Sequence, residues 1–352
     1  MRSAAPAIGS SMELQSMAFK LALFVFVLLM LTAGTMIAVG YIVARQIVSN
    51  QIHERLSVAA ADRHAMVLSY VAQQHERVGL VASRTRLRQL IEQFSKGDIE
   101  EQAMREGTQR ILSDAKQSTE GFLEIWITND SGEVITATSN TLIGQNFSDH
   151  TDFKRGREAK HIGEPRLVRK QHVAYLTAPA MTNSGRRLGV VMVLLDVGRL
   201  VEIISNTVGL GETGEVLIAT QRGNQAHYLL PPRSSRETSI PLTQVPSMAA
   251  AIEGRQNHDV AEVEYAGSRV LARYQPIAYQ PADYQPWGLV AKIDASEAYQ
   301  PVTKLGVILV CLEGVLLVVG LVGSFWLARR FTRPVREMTE VATRVAGGDL
   351  AA

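Results

Sequence analysis

The sequence predicts an α+β fold, in which a long N-terminal helix precedes two antiparallel-sheet modules in tandem and a membrane-spanning helix lies on either side of them. Two observations lead to this prediction. Long apolar runs lie near both ends of the chain, and between them a helical hydrophobic period gives way twice to a strand–turn–strand pattern. At 352 residues the chain has room for two or three domains.

The composition argues against several classes of function. A net charge of +2, without a Lys/Arg stripe interleaved with aromatic residues, makes nucleic acid an unsuitable partner. The only cysteine, Cys311, lies in the second apolar run and offers neither a disulfide framework nor a cysteine metal site. Because no phosphate-binding loop, nucleophile elbow or His-Glu-x-x-His motif is present, we expect no enzyme activity, cofactor or metal in these residues.

The first apolar run predicts an uncleaved membrane anchor at 19–44. The stretch from Leu21 to Ala44 contains no charged residue. A signal peptide has an apolar core of about 7–15 residues, so this run is too long, and cleavage is the alternative. Residues 1–18 would form a short cytoplasmic leader.

The second apolar run predicts a membrane span at 304–328. The stretch from Leu305 to Ala328 carries one charge, Glu313. At about 1.5 Å per residue it exceeds a hydrocarbon core of about 30 Å. Arginines at 329, 330, 333 and 336 follow, as is typical of the cytoplasmic side. Residues 45–303 are therefore expected outside the cytoplasm, with both termini inside.

The outer block begins with helical patterns. Apolar residues recur at helical spacing from Arg45 to Ser95, which predicts one long helix, and a second helix follows at 98–116. His53, His64 and His75 recur every eleven residues. That interval is about 16 Å along a helix, too far for a shared metal. We interpret them as a solvated or dimer-facing stripe in preference to a pH sensor.

Strand patterns follow the helices. The predicted elements of the first unit are strands at 122–128 and 133–137, a short helix at 152–160, strands at 173–178 and 189–195, and a helix at 196–206.

The pattern then returns. SGEVITAT, at 131–138, is echoed by TGEVLIAT, at 213–220. Three further residues have counterparts: Pro179, Gly189 and Asp196 match Pro276, Gly288 and Asp294. Two similar units, a first at about 98–206 and a second at about 207–300, account for both echoes.

This block resembles the double Cache family, the extracytoplasmic sensors of bacterial chemoreceptors, sensor kinases and cyclic-nucleotide enzymes. The resemblance covers 45–303, and besides the long helix it is carried by SDHTDFKRGREAKHIGEP (148–165), GLGETGEVLIA (209–219) and PWGLVAKID (286–294). It implies two PAS-like modules, a small ligand in the membrane-distal one, and a place in the bacterial inner membrane with the sensor on the periplasmic side.

The segment after the second span is similar to the first helix of a HAMP domain, the parallel four-helix relay of bacterial receptors. Its carriers at 329–352 are Arg333-Pro334, Glu337, the exit Gly348-Asp349-Leu350 and a seam of Val335, Met338, Ala342 and Val345. A basic anchor on anionic lipid is the alternative. The resemblance implies a connector, a second helix and an output domain beyond residue 352, such as a histidine kinase or diguanylate cyclase.

Candidate ligand residues follow from charge and from the resemblance. Between Lys154 and His172, nine Lys, Arg or His side chains stand against only Glu158 and Glu164, an excess that suits a carboxylate or another small anion. A solvated face is the alternative. Together with strand alternation, the candidates are His150, Phe153, Lys154, Arg166, Tyr175, Thr177 and Trp126. For Trp126, core packing is the alternative.

The type of ligand is narrowed by a departure from the family. Its amino-acid sensors carry paired aromatic residues around the short helix and an aspartate for the ligand amine. Here that helix reads DFKRGR, at 152–157, and Asp196, near the place of the aspartate, has helix capping as its simplest role. The sequence favours an organic acid. An amino acid, or a periplasmic protein docked on the outer block, is the alternative.

Signal transfer is predicted to pass through the second span. Gly306, Glu313 and Gly320 are spaced by seven and share a face that a partner helix can approach, which implies a homodimer. A charge at mid-bilayer costs about 2.5–3.5 kcal/mol, so Glu313 should face protein or be protonated, with a local water defect as the alternative. Glu313, Pro334 and Met338 are the predicted signalling residues, and ligand would slide or rotate the span.

Overall fold

The computed structural model describes residues 9–233, 235, 237–278 and 287–346, with side chains described between 23 and 326. Contacts divide the chain into two units. Ile52–Glu297 forms one unit, and the residues on either side of it form the other. The predicted HAMP exit at 348–350 lies outside the described residues.

Two long helices contain the apolar runs. Helix α1 spans Gly9–Ala82, and helix α8 spans Gln300–Ala346. Both are long and apolar enough to cross a membrane, by length and composition. Pro334 and Met338 lie within α8, and their side chains are outside the described part.

The single helix predicted for 45–95 is wrong, because the chain breaks after α1. Helix α2 spans Thr85–Lys96 and helix α3 spans Glu101–Ser118, close to the predicted second helix. Arg84 leaves the helical conformation, with φ −56° and ψ 116°, and its guanidinium donates to the Ile111 carbonyl at 3.0 Å. The break lets the apolar face of α2 pack on α3, where Gly107 makes room for Leu90.

The predicted solvated or dimer-facing stripe of histidines on α1 also needs correction. His64 Nε2 lies 3.0 Å from the Pro276 carbonyl oxygen, and His75 is only 4% exposed. These two side chains face the chain's own sheet modules, because the apolar face of α1 from Leu56 onward is buried against those modules.

The distal module is an antiparallel sheet flanked by helices. Its strands are β1 (Phe122–Thr128), β2 (Val134–Ala137), β3 (His161–Ile162), β4 (Arg166–Val168), β5 (Gln171–Met181) and β6 (Arg187–Asp196), in the order β2-β1-β6-β5-β3, with β4 paired to β5. Helices α4 (Thr151–Gly156) and α5 (Gly198–Ser205) complete it. All four long strands predicted here are confirmed. Gly189 is required where β6 begins to pair with β1, since a Cβ there would stand 1.8 Å from the Thr128 carbonyl oxygen.

The proximal module repeats the arrangement. Its strands are β7 (Glu215–Arg222), β8 (Gln225–Tyr228), β9 (Ser239–Pro241), β10 (Ala261–Tyr265), β11 (Ser268–Ile277) and β12 (Trp287–Asp294), in the order β10-β11-β12-β7-β8-β9. Helix α6 (Pro246–Ile252) packs on β11 and β12, and the short α7 (Ala295–Ala298) follows the sheet. The predicted fold class, with two sheet modules after a long helix, is confirmed.

Only one of the two sequence echoes marks equivalent strands. Pro179 of β5 pairs with Val190 of β6, and Pro276 of β11 pairs with Gly288 of β12, so these central pairs correspond. The other echo is wrong. SGEVITAT holds the edge strand β2, whereas TGEVLIAT holds β7, which pairs with β12 and β8 and so takes the place of β1. The echo misled because a Gly-Glu turn followed by buried β-branched residues can precede either strand of a hairpin.

Candidate ligand-binding site

A cluster of four rings lies on one face of the distal sheet, under the loop that leads into α4. Trp126 comes from β1, Tyr175 from β5, and Phe147 and His150 from the loop. Ring centroids are 4.9 Å apart for His150 and Tyr175, 5.4 Å for Trp126 and Phe147, and 5.7 Å for Trp126 and Tyr175. We call this group the aromatic cluster. It runs from the core, where Trp126 is 2% exposed, to the half-exposed His150.

Strand register places the two sheet residues of the cluster. Trp126 stands opposite Met192 of β6, and Tyr175 stands opposite Leu194 two residues further along the same strand. Residues two apart share a face of a sheet, so both rings project to the same side. The edge-to-face packing of Trp126 on Tyr175, with an interplanar angle of 87°, is a favoured arrangement of aromatic pairs.

Arg166 brings a positive charge to the cluster. Its guanidinium carbon lies 4.0 Å from the centroid of the Tyr175 ring, a cation–π contact. Arg166 pairs with Val173 across β4 and β5, so it lies diagonally next to Tyr175 on the same face. A guanidinium fixed on a ring in this way can bind a carboxylate through two parallel hydrogen bonds.

A carboxylate between two histidines holds the edge of the cluster. Asp152 Oδ1 lies 3.0 Å from His161 Nε2, and Asp152 Oδ2 lies 3.3 Å from His150 Nδ1. The first contact has hydrogen-bond geometry, and the second is an ion-pair contact without it. Burial lowers the pKa of the neighbouring His75 to about 4, with a further contribution from the charges of His161 and Lys160.

The cluster also contains a buried donor. The indole Nε1 of Trp126 is shielded from solvent and has no acceptor among the described residues. Most buried polar groups in proteins are hydrogen-bonded, so such a donor is a place where a ligand oxygen can bind. A cation at the rim and an N–H in the interior together suit an anion with an apolar part.

The structure brings four of the predicted residues together: Trp126, His150, Arg166 and Tyr175. Phe153 and Thr177 lie beneath them in the core, and both are buried. The Thr177 hydroxyl is within hydrogen-bond distance of the Asp152 and His161 carbonyls, at 3.3 and 3.4 Å, and holds α4 on the sheet. Gly156 allows this close packing, since a Cβ there would stand 2.5 Å from Thr177 Oγ1.

One predicted residue lies outside the cluster. The Lys154 side chain is 59% exposed, and its Nζ lies 3.9 Å from Asp149 Oδ1. Sequence reasoning missed Phe147, Asp152 and His161. The His-x-Asp spacing of 150 and 152 could have indicated the second of these. A ligand contact by any of these side chains stays a prediction.

Asp196 is occupied at the start of α5. One carboxylate oxygen accepts from the Gly198 N–H at 2.7 Å, and the other accepts from Gln171 Nε2 at 2.7 Å. The carboxylate is therefore engaged at the start of α5, although the N-cap residue of this helix is Val197 and not Asp196 as predicted.

The predicted face of the second span meets the first span of the same chain. Glu313 Oε1 would lie 3.9 Å from a Cβ placed on Gly34, and Gly306 lies against the ring of Tyr41. A Cβ on Gly320 would stand 3.8 Å from Leu29 Cδ1. Glu313 thus faces protein, as predicted, and its neighbour is α1. The homodimer stays a prediction.

Comparison with known proteins gives two family matches. The model of the Cache domain matches residues 44–302, and the model of the HAMP domain matches residues 326–352. A search of curated proteins finds no match.

Solved structures share the fold. The ligand-binding domain of a Campylobacter jejuni chemoreceptor in complex with 4-methylisoleucine is 10% identical, with 71% of this chain and 94% of that chain covered and a TM-score of 0.51. The ligand-binding domain of a Pseudomonas aeruginosa amino acid chemoreceptor in complex with GABA is 17% identical. The match covers 68% of this chain and 99% of that chain, with a TM-score of 0.50. An extracellular ligand binding receptor from Desulfohalobium retbaense is 12% identical. The match covers 66% of this chain and 39% of that chain, with a TM-score of 0.46. The present chain thus spans 39% of that last receptor chain.

Proposed function

The chain belongs to the Cache domain family through residues 44–302, and from that premise we propose that it is the input module of a transmembrane receptor that binds a small organic acid at the aromatic cluster. Cache and HAMP domains are non-catalytic signalling modules, and here the second follows the first along the chain. Two apolar helices flank the Cache domain, an arrangement consistent with an inner-membrane receptor.

The observation that carries the proposal is Arg166 stacked on Tyr175 at the edge of the aromatic cluster. The guanidinium supplies the charge for a carboxylate, and the rings supply an apolar wall. The Trp126 N–H, for which the described residues supply no acceptor, offers a further donor. The ligands named for two proteins of similar fold, 4-methylisoleucine and GABA, both carry a carboxylate, which supports the anionic half of the proposal.

An organic acid fits these residues better than an amino acid does. A carboxylate is the strongest partner that a side chain offers a ligand ammonium, and Asp152 and Asp196 near the cluster are both engaged. Asp196 accepts from Gly198 and Gln171, and Asp152 lies between two histidines. An ammonium group would also lie near the Arg166 cation, which it repels.

The proposed route of the signal runs from the distal module through the proximal module to α8 and the HAMP segment. Residues 45–303 would lie on the periplasmic side, with both termini in the cytoplasm and a homodimer as the working state. Ligand would stabilise one of two arrangements of the receptor. Glu313 on the second span, and Pro334 and Met338 beyond it, are the residues through which the change would pass.

A thermal-shift screen of the full chain in detergent micelles tests the proposal. The compounds are acetate, pyruvate, succinate and malate, their amides as neutral controls, and a set of amino acids. A ligand at 100 times its Kd stabilises the folded state by about 2.7 kcal/mol. We expect at least one carboxylate, and not its amide, to raise the melting temperature.

A matched pair of variants locates the site. Arg166→Gln should reduce the shift, because it removes the guanidinium from the cluster. Arg186→Gln removes the same charge at the exposed turn between β5 and β6 and should leave the shift unchanged. If the carboxylate shift survives Arg166→Gln, or if no carboxylate gives one, the proposal is wrong.

A further inference from the structure

A cavity of about 330 Å³ lies between the two modules and has Arg166 in common with the site at the aromatic cluster. On one side it is closed by the distal segment 164–167 and His172. On the other side it is closed by the proximal strands β7, β8 and β12, with Trp287 in its wall. None of the four rings of the aromatic cluster lines it. We call it the intermodule cavity. Its volume lies within the range of about 300–1,000 Å³ that is usual for small-molecule sites.

Its wall on the proximal side is apolar and contains a buried donor. Ile218, Leu229 and Trp287 line it, and Trp287 is 3% exposed. The indole Nε1 of Trp287 is shielded from solvent and has no acceptor within the part of the chain that the structure describes. The half-buried Thr220, on the same wall, carries a hydroxyl that can donate as well.

The charges around the intermodule cavity are mainly positive. Arg166, Arg222 and two histidines line it, against one carboxylate, Glu164. Arg222 donates to Glu164 Oε2 from Nε at 2.8 Å and from Nη2 at 2.5 Å, so that carboxylate is already neutralised. Burial, with the nearby charge of Arg222, lowers the pKa of His227 and so disfavours its charged form. Arg166 lines the cavity as well, but its guanidinium lies on the Tyr175 ring, so the aromatic cluster and the cavity share this cation.

We propose that the intermodule cavity is a second ligand site, which takes a small monocarboxylate with an apolar or aromatic body. The indole N–H and the Thr220 hydroxyl would bind the carboxylate beside the arginines, and the apolar wall would cover the body. Because the walls come from both modules, an occupant holds segment 164–167 on the proximal sheet. The cavity shares Arg166 with the aromatic cluster but has its own indole donor, so each site is tested through its own tryptophan.

The three tryptophans of the chain allow the two sites to be read separately. Trp126 reports on the aromatic cluster, Trp287 on the intermodule cavity, and Trp326 lies in the second apolar helix. With Trp126 and Trp326 replaced by Phe in the full chain, in detergent micelles, Trp287 is the remaining emitter. We expect phenylacetate to change its fluorescence saturably below about 10 mM, which corresponds to weak but specific binding, and phenylacetamide to have no such effect.

Two variants in this background locate the response. Thr220→Phe fills the cavity from a half-buried position and should abolish it. Arg222→Gln leaves Glu164 without its partner and should weaken phenylacetate binding at least about tenfold by repulsion, whereas Arg255→Gln, on the exposed surface of the proximal module, should not.

No saturable change of Trp287 with phenylacetate, or the same midpoint for phenylacetamide, would overturn the second site. So would a response that persists in Thr220→Phe. Failure of the distal site is seen independently, as a silent Trp126 in the complementary background with Trp287 and Trp326 replaced.

Discussion

The distal and proximal modules share a sheet topology but carry different side chains at equivalent positions of their central strands. Counting back four residues from the matched prolines, Tyr175 of the distal module corresponds to Ala272 of the proximal one. The strand pairing agrees, since Tyr175 stands opposite Leu194 and Ala272 stands opposite Lys292. An aromatic ring and an aliphatic side chain in one module are thus replaced by a methyl group and a cation in the other.

The proximal module supplies the partner of that cation itself. Lys292 Nζ lies 2.8 Å from Glu215 Oε1, both side chains are buried, and the ammonium lies 5.2 Å from the centroid of the Tyr265 ring. The hydroxyls of Tyr228 and Tyr265 are 2.7 Å apart beside it. In the distal module the corresponding face carries the aromatic cluster, with an indole N–H that has no acceptor among the described residues.

The two modules therefore show that one fold can place either an internal ion pair or a cluster of rings on the same face of its sheet. On the proximal α6 face the buried lysine has its carboxylate partner, and the two buried tyrosine hydroxyls lie within hydrogen-bond distance of each other. On the distal face the Trp126 N–H has no acceptor among the described residues, and a carboxylate bound there would supply one beside the Arg166 cation. This contrast agrees with the proposal that the ligand binds on the distal face, and it predicts that the proximal α6 face serves mainly to stabilise its module.

The largest effect is expected from breaking the proximal ion pair. Lys292→Met leaves the Glu215 carboxylate buried without its partner, and removal of one partner of a buried pair costs about 3–5 kcal/mol. The corresponding distal change, Leu194→Met, should cost less than about 1.5 kcal/mol, because it conserves volume and polarity. Urea unfolding of the full chain in micelles, followed by circular dichroism, measures both.

A double variant serves as the control for that prediction. Lys292→Met combined with Glu215→Leu removes both charges and should recover most of the stability, because the penalty comes from the uncompensated carboxylate. A single Lys292→Met variant as stable as the parent would show that the pair does not support the module.

The next effect concerns ligand affinity in the distal module. Tyr175→Ala gives the distal face the residue of the proximal one and removes the ring on which Arg166 stacks. We expect affinity for the carboxylate found in the screen to fall at least about tenfold, equivalent to about 1.4 kcal/mol. Tyr175→Phe keeps the ring and should stay within about threefold. Isothermal titration measures both, and equal losses for Ala and Phe would contradict a role for the stacked pair.

A pH effect should appear in the distal half and trace to His75. The folded chain keeps this side chain neutral down to a pKa of about 4, whereas the unfolded chain protonates it near 6.5. The contribution of His75 to the free energy of unfolding is therefore fully present above pH 6.5 and is lost as the pH drops towards 4. A single group contributes at most about 1.4 kcal/mol per pH unit.

The matched variant for the pH effect is His75→Leu. It keeps a buried apolar side chain without a titrating group, so the slope of stability against pH between 4 and 6.5 should become shallower. His161 and Lys160 still face this position in the variant. If the slope is unchanged, His75 is not its source.

The smallest effect is expected at the end of the proximal module. Glu297 accepts from the N–H groups of Glu212 and Thr213, at 2.8 and 2.7 Å, and from the Thr213 hydroxyl. Burial raises its pKa, but these hydrogen bonds outweigh that effect, so the pKa lies below its usual value. Glu297→Gln should cost about 1 kcal/mol or less, because the site is partly exposed.

Thermal melts of the full chain in micelles measure this small effect. Glu212→Gln, at an exposed position on the neighbouring loop, is the matched control and should leave the melting temperature unchanged. Equal losses for the two variants would argue against a role for the Glu297 hydrogen bonds.

Much of the fold was predictable because local pattern and tertiary structure agree. The bulky run at 122–128 and the apolar run at 189–195 become paired central strands. The break at Arg84 was not predictable, because nothing in the local sequence stops a helix there and the cause is packing against α3. The equivalence of β7 with β1 was also missed, since a one-hairpin shift leaves the hydrophobic period unchanged.

The site was predictable in part for the same reason. Strand alternation indicated Trp126 and Tyr175, but the stacking of Arg166 depends on the register of β4 on β5, which no period in the sequence specifies. Lys292 and Glu215 are far apart in sequence, inside strands with an apolar pattern, and only the pairing of β12 with β7 brings them together.

The binding of an organic acid by the distal module is measured most directly through Trp126 in the full chain with Trp287 and Trp326 replaced by Phe. A carboxylate that raises the melting temperature should change this fluorescence saturably, its amide should not, and Arg166→Gln should abolish the change. A stabilising carboxylate that leaves Trp126 silent, or one that acts equally in Arg166→Gln, would contradict the assignment of the ligand to the aromatic cluster.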